Sequence, residues 1–175
     1  MLGLVASALL ALLVKAPQFL APMGQDQGLY HTVAQEILRG GVPYRDAWDP
    51  KPPAVFYTHA ALLSVVSDPW RACQVGSLQP RCGTLLFQAT DFLYSLVLGG
   101  LVLLLSRRFG FSAAARLLAF GFTATFVNLA RLDPEGSTPE KYALAPAVGV
   151  LLAGLTAIDS GKRRWLLAAR VLSAV

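Results

Sequence analysis

The apolar residues of this chain are gathered into four blocks, and blocks of this length leave few folds open. They cover residues 1–20, 85–106, 112–130 and 142–158. A helix needs roughly 20 mainly apolar residues to cross the hydrocarbon core of a bilayer, and inside lipid every backbone polar group must find its partner within the structure. The second block contains the uncharged run LYSLVLGGLVLLLS, with Asp91 near its start; the third has Arg116 near its start; the fourth is uncharged. The first is weaker, being interrupted by Lys15 and Pro17. A fifth block opens at 165–175 and covers about half a bilayer, so the sequence reads as the N-terminal part of a longer chain. Only 14% of the 175 residues are charged and 55% are hydrophobic, whereas soluble domains carry about a quarter charged residues. The expected fold class is an all-α membrane protein, a polytopic helical bundle of four complete spans and a partial fifth.

Charge sets the expected orientation. Arg107 and Arg108 follow the second block, with Arg116 just beyond, and Lys162, Arg163 and Arg164 follow the fourth. Short connections rich in basic residues face the cytoplasm, and these two lie an even number of spans apart, so they agree. Nine of the ten acidic residues fall in the remaining connections or beside them, and only Asp159 shares the basic side. The net charge of +5 therefore reads as topology, and no nucleic-acid partner is expected. The first block has a second reading as a cleaved signal peptide, against which no Lys or Arg precedes its apolar stretch.

The connection over 22–84 faces outward on this topology and is too long for a plain linker. LYHTVAQEILRG places Leu29, Val33, Ile37 and Leu38 at helical spacing before Gly40 and Gly41, which predicts a short amphipathic helix with a glycine stop. Such a helix lies along a membrane surface. The turn-rich run VPYRDAWDPKPP follows, and then AVFYTHAALLSVV, an apolar helix of about three turns opened by Pro52 and Pro53. Cys73 and Cys82, the only cysteines, lie late in this connection on the oxidising side; a disulfide between them is favoured over two unpaired thiols. Two cysteines without neighbouring histidines make a poor metal site.

Several polar residues sit where a bilayer surface would be. Asp26 follows the first span and is placed either to reach a substrate or to cap the helix starting near Gln27. Lys51 stands between prolines, as a fixed cation for a phosphate or as a surface partner of Asp49. Asp133, Glu135 and Glu140 fill the second outward connection, as solvated charge or as part of a site; Glu140 also suits the positive end of the fourth helix. His31 and His59 lack ligand spacing and are expected to be packed or exposed rather than metal-bound. No nucleotide-binding glycine loop, HExxH or nucleophile elbow is present.

The block DQGLYHTVAQEILRGGVPYRDAWDPKPPAVFY resembles the first outward loop of polytopic glycosyltransferases of the GT-C fold. Its nearest likeness is to the bacterial relatives of dolichyl-phosphate-mannose–protein mannosyltransferases, including aminoarabinose transferases. The shared order is an acidic residue just outside the first span, a juxtamembrane helix ending in Gly, a Y-x-D turn and a KPP motif opening another helix. EGSTPEKYALAPAVGVLLAGL resembles their second outward loop. The resemblance implies a GT-C bundle with Asp26 as base or acceptor-orienting carboxylate, Lys51 on the phosphate of a lipid-linked donor, and Glu140 lining the same cavity. Asp49 stands where relatives often have Glu. Gln27 stands where many relatives have a second carboxylate, which weakens any paired-acid or metal site.

The implied activity is transfer of a sugar from a polyprenyl-phosphate-linked donor to a lipid, glycan or protein acceptor at the extracytoplasmic face of the plasma membrane, with inversion. No resident cofactor is expected, a divalent metal being left open, and the segment by itself is expected to be inactive. The alternative is a non-enzymatic polytopic protein, a fragment of a transporter or lipid-carrier flippase. Transporters place ionisable sites near the bilayer midplane, whereas the acids here cluster toward one surface.

Overall fold

The computed structural model describes residues 1–21, 24–65, 84–129 and 139–173, and these are helical apart from short turns. Seven helices follow in order: α1 (Leu2–Leu20), α2 (Gln25–Leu38), α3 (Pro53–Ser64), α4 (Thr84–Arg108), α5 (Ala113–Phe126), α6 (Pro139–Ser160) and α7 (Arg163–Leu172). Among the described residues three helices are long and apolar enough to cross a membrane: Leu2–Leu20, Leu85–Arg108 and Pro139–Ser160. The third apolar block differs from its expected span. Its helix, α5, runs for 14 residues, which is about 21 Å against a hydrocarbon core of about 30 Å. One side chain accounts for it. Asn128 places its side-chain amide on the Ala124 carbonyl (2.7 Å), while its backbone N–H turns to Thr125, so the i→i−4 ladder ends there.

Polarity is distributed inside out. Leu9 and Leu13 of α1, Leu93 and Val97 of α4, Leu118 and Phe122 of α5, and Leu151 and Ile158 of α6 are exposed, while Lys15, Gln18, Gln88, Asp91, Ser95, Asn128 and Lys141 are buried. In water this arrangement would cost free energy on both counts; in lipid it is the arrangement of lowest cost. The packing seams fit the same solvent, because small residues let helices approach where no hydrophobic force draws them together. Ala145, Gly149, Ala153 and Ala157 form the buried face of α6, and Leu172 of α7 packs onto Gly149. At Gly99 of α4 a Cβ would meet the Phe120 backbone oxygen at 3.1 Å, so only glycine allows α5 this close.

Helices α4 and α6 run parallel and in register. Tyr94, near the middle of α4, meets Tyr142 in the first turn of α6, and Arg108 at the end of α4 meets Thr156 and Asp159 near the end of α6. The two basic connections therefore share one end of the bundle. Helix α7 doubles back along α6, as the Leu172–Gly149 contact requires.

The expected pair of short helices is present at the opposite end. Helix α2 ends as its glycines predict: Gly40 adopts φ +90°, and the amides of Gly40 and Gly41 bond back to Ile37 and Glu36, a Schellman stop. Helix α3 opens with Pro53 in its first turn. The buried face of α2 is rotated from the expected one. Leu29 and Leu38 are exposed, whereas Tyr30, His31, Val33 and Ala34 pack inward. Two apolar clusters drive that choice: Tyr30 and Val33 pack with Val55 and Phe56 of α3, and Ala34 packs with Ala60, Leu63 and Phe87.

Candidate functional site

Residues 42–52 form a compact turn that aims Lys51. The Asp46 carboxylate accepts the Val42 amide at 2.7 Å, and the Tyr44 amide bonds the Ala47 carbonyl at 2.8 Å. Tyr44 takes the strained value φ 68°, which sends its hydroxyl to the Lys51 carbonyl at 2.7 Å. Buried Asp49 accepts the Lys51 backbone amide at 3.0 Å. Asp49 therefore fixes the backbone of Lys51, while the ammonium goes elsewhere. It donates to Glu140 Oε1 at 3.0 Å, across 89 residues of chain. Pro52 and Pro53 then start α3 and hold the turn from the other side.

The Glu140 carboxylate, by accepting that hydrogen bond, holds the Lys51 ammonium above its ordinary pKa; partial burial opposes this, and the fields of Glu140, Asp26 and Asp49 reinforce it. The structure thus joins Asp49, Lys51 and Glu140 by direct hydrogen bonds, with Asp26 near enough for its field to reach the ammonium. Asp26 lies in the first turn of α2, where its charge suits the helix dipole, but it is not the N-cap: Gly24 holds that position. The helix begins earlier than its apolar spacing suggests, and this moves Asp26 from the cap into the helix.

Next to Lys51 and Glu140, α3, α4 and α6 enclose an apolar cavity of about 250 Å³, lined by Pro52, Val55, Thr58, Tyr94, Pro139 and Tyr142 among others. One hydroxyl ties two of its walls together. Pro146 has no N–H, so the Tyr142 carbonyl loses its helical donor. The Tyr94 hydroxyl donates to that carbonyl and accepts from the Ala145 amide at 3.0 Å.

The chain also holds a buried charged cluster that sequence reasoning did not assemble. Lys15 of α1 and Lys141 of α6 both donate to Asp91 Oδ2 of α4. Lys15 and Asp91 are fully buried, and Lys141 is 5% exposed. Lys141 also reaches Asn128 Oδ1 at 3.3 Å, Asn128 donates to Ser95 at 2.8 Å, and Lys15 donates to Gln18. Lys15 reads in sequence only as an interruption, and Asp91 only as a residue near a span's start. The signal that would have found them is an ionisable residue inside an apolar span.

His31 and His59 are packed, as expected. Both rings contact Phe87, His59 by stacking at 4.4 Å and His31 edge-on at 5.8 Å. Their ring nitrogens have no hydrogen-bond partner among the described residues. Burial lowers the pKa of His31, and burial together with the field of His31 takes His59 down to about 3. Among the described residues no three His, Cys, Asp or Glu side chains are grouped to hold a metal ion. Cys73, Cys82, Asp133 and Glu135 lie outside the described residues.

Comparison of the chain with family models, curated proteins and solved structures gave no match.

Proposed function

We propose that this chain belongs to a GT-C-type membrane glycosyltransferase that takes a sugar from a polyprenyl-phosphate-linked donor at the extracytoplasmic face of the plasma membrane. The observation that carries this reading is Lys51, held on a rigid turn among Glu140, Asp49 and Asp26 and adjoining an apolar cavity. An amphiphilic donor needs that pairing, an apolar slot for the isoprenoid and a cation for the phosphate.

The step follows from the charges. Asp26 removes the acceptor's proton, and the acceptor oxygen attacks the anomeric carbon. The bond from that carbon to the phosphate oxygen breaks. The phosphate leaves with the electron pair, and Lys51 stabilises it. A single displacement inverts the anomeric centre.

The test uses the full-length protein in lipid vesicles with a panel of polyprenyl-phosphate-linked hexoses and pentoses. Release of polyprenyl phosphate is expected, together with its loss in Asp26→Asn and a raised donor KM in Lys51→Met at normal expression. Near-normal turnover by Asp26→Asn removes that residue from the chemistry.

One observation favours transport or lipid flipping instead: three ionisable side chains are enclosed among the helices. Their depth argues against it. Lys15 lies 5 residues before the end of α1, Asp91 lies 7 after the start of α4, and Lys141 lies 2 after the start of α6. These offsets keep the cluster within roughly 10 Å of the helix ends rather than at the bilayer midplane. Movement of labelled lipid carrier or solute without sugar release would establish the transport reading.

A further inference from the structure

Glu140 and Lys141 are consecutive residues on the first turn of α6, and they meet opposite surroundings. Lys141 is 5% exposed and donates to Asp91 at 2.6 Å. The Glu140 side chain is 70% exposed and ends on Lys51. We infer that Asp91, acting through Lys141, is a positioning residue that holds Glu140 on Lys51 as an internal counter-ion, which an incoming ligand phosphate displaces. The inference rests on the proposed assignment of Lys51 to a phosphate.

Three observations lead there. The first is the difference in strength between the two contacts. A buried carboxylate shared by two lysines cannot give up a partner without leaving charge in a medium of low dielectric. An exposed carboxylate–ammonium pair is weak and exchanges with water or a better anion. The first turn of α6 is therefore anchored at Lys141 and exchangeable at Glu140. The second is that the Asp49 carboxylate accepts the Lys51 backbone amide and so holds the turn, whereas the ammonium itself donates to Glu140. The third is placement. Pro52 and Pro139, the chain neighbours of Lys51 and Glu140, both line the apolar cavity. A phosphate whose apolar tail entered that cavity would arrive at the Lys51–Glu140 pair. Glu140, with most of its side chain in solvent, can swing away while α6 stays docked through Asp91.

The first arm of the test measures acylation of Lys51 by an amine-reactive reagent, read by mass spectrometry on the full chain in vesicles without ligand. Glu140→Gln should acylate about threefold to fivefold faster than wild type, the range expected for an exposed ion pair. Lys141→Met and Asp91→Asn should shift in the same direction, and Lys141→Arg should restore the slow rate. Lys15→Met opens the same buried cluster from α1 and should leave Lys51 near the wild-type rate. Should Asp91→Asn fail to fold, Lys141→Met carries the comparison. A wild-type rate in Lys141→Met, or equal acceleration by Lys15→Met, overturns the positioning role.

The second arm adds polyprenyl phosphate to the bilayer, with inorganic phosphate as the comparison that separates a lipid-borne from a free phosphate. Protection of Lys51 should need about threefold to fivefold less polyprenyl phosphate in Glu140→Gln than in wild type. Equal protection curves overturn displacement alone. Absence of protection in every variant overturns displacement and the phosphate role of Lys51 together.

Discussion

A lysine inside an apolar helix is costly unless something answers its charge, and Lys15 shows how far away the answer lies. Its partner, Asp91, is 76 residues further along, and Asp91 in turn receives Lys141. No local pattern links three residues on three helices, so the cluster becomes visible only when α1, α4 and α6 pack. Lys51 and Glu140 differ in this respect. Each is conspicuous in its own segment, one between prolines and one at a helix start, and what folding adds is their pairing. Tyr94 belongs with the hidden residues: it reads as an aromatic in a span, and its role arises because Pro146 strips a donor from another helix. Tyr94→Phe leaves the Tyr142 carbonyl without that hydroxyl. It should lower stability by roughly 1–3 kcal/mol, read as the unfolding midpoint in detergent, and it should distort the adjoining cavity.

At the scale of elements, the α2–α3 pair was largely legible. The helical spacing, the glycine stop and the opening prolines all act within a few residues, and each does what its chemistry dictates. The buried face was not legible, because two helices and the start of α4 choose it jointly: Tyr30 and His31 turn inward to meet Phe56, His59 and Phe87. That choice has a consequence for pH. Both histidines have folded-state pKa values below the ordinary 6.5, His59 at about 3, so the docked pair holds them neutral. Their contribution is complete above about pH 6.5 and declines as pH falls toward 3, because the undocked state binds protons that the docked state refuses. For His59 the loss amounts to about 1.4 kcal/mol per pH unit in that window, and His31 adds to it in the same direction. Hydrogen exchange corrected for intrinsic rates should show α2 and α3 opening more readily at pH 5 than at pH 7.5, and replacing both histidines by Phe should remove most of the difference.

For the whole molecule, the register of α4 and α6 puts Arg108 and Asp159 at one end of the bundle and Lys51 and Glu140 at the other. If the bundle crosses a bilayer as proposed, a membrane-impermeant amine reagent added outside sealed vesicles of native orientation should modify Lys51 and spare Lys162; modification of both at equal rates contradicts the topology. The membrane solvent itself was written in the sequence. Block length, scarcity of charge and the segregation of basic from acidic connections are properties that each stretch carries alone, since a bilayer acts on every segment in the same way. The early end of α5 and the buried cluster were decided by tertiary structure. Asn128 ends α5 while also bonding Ser95 of α4, and enclosed charges find partners only where separate helices meet. The meeting of Lys51 with Glu140 is of the same kind: the chain places each residue at the edge of a helix, and only the docking of both α3 and α6 against α4 brings them within 3.0 Å.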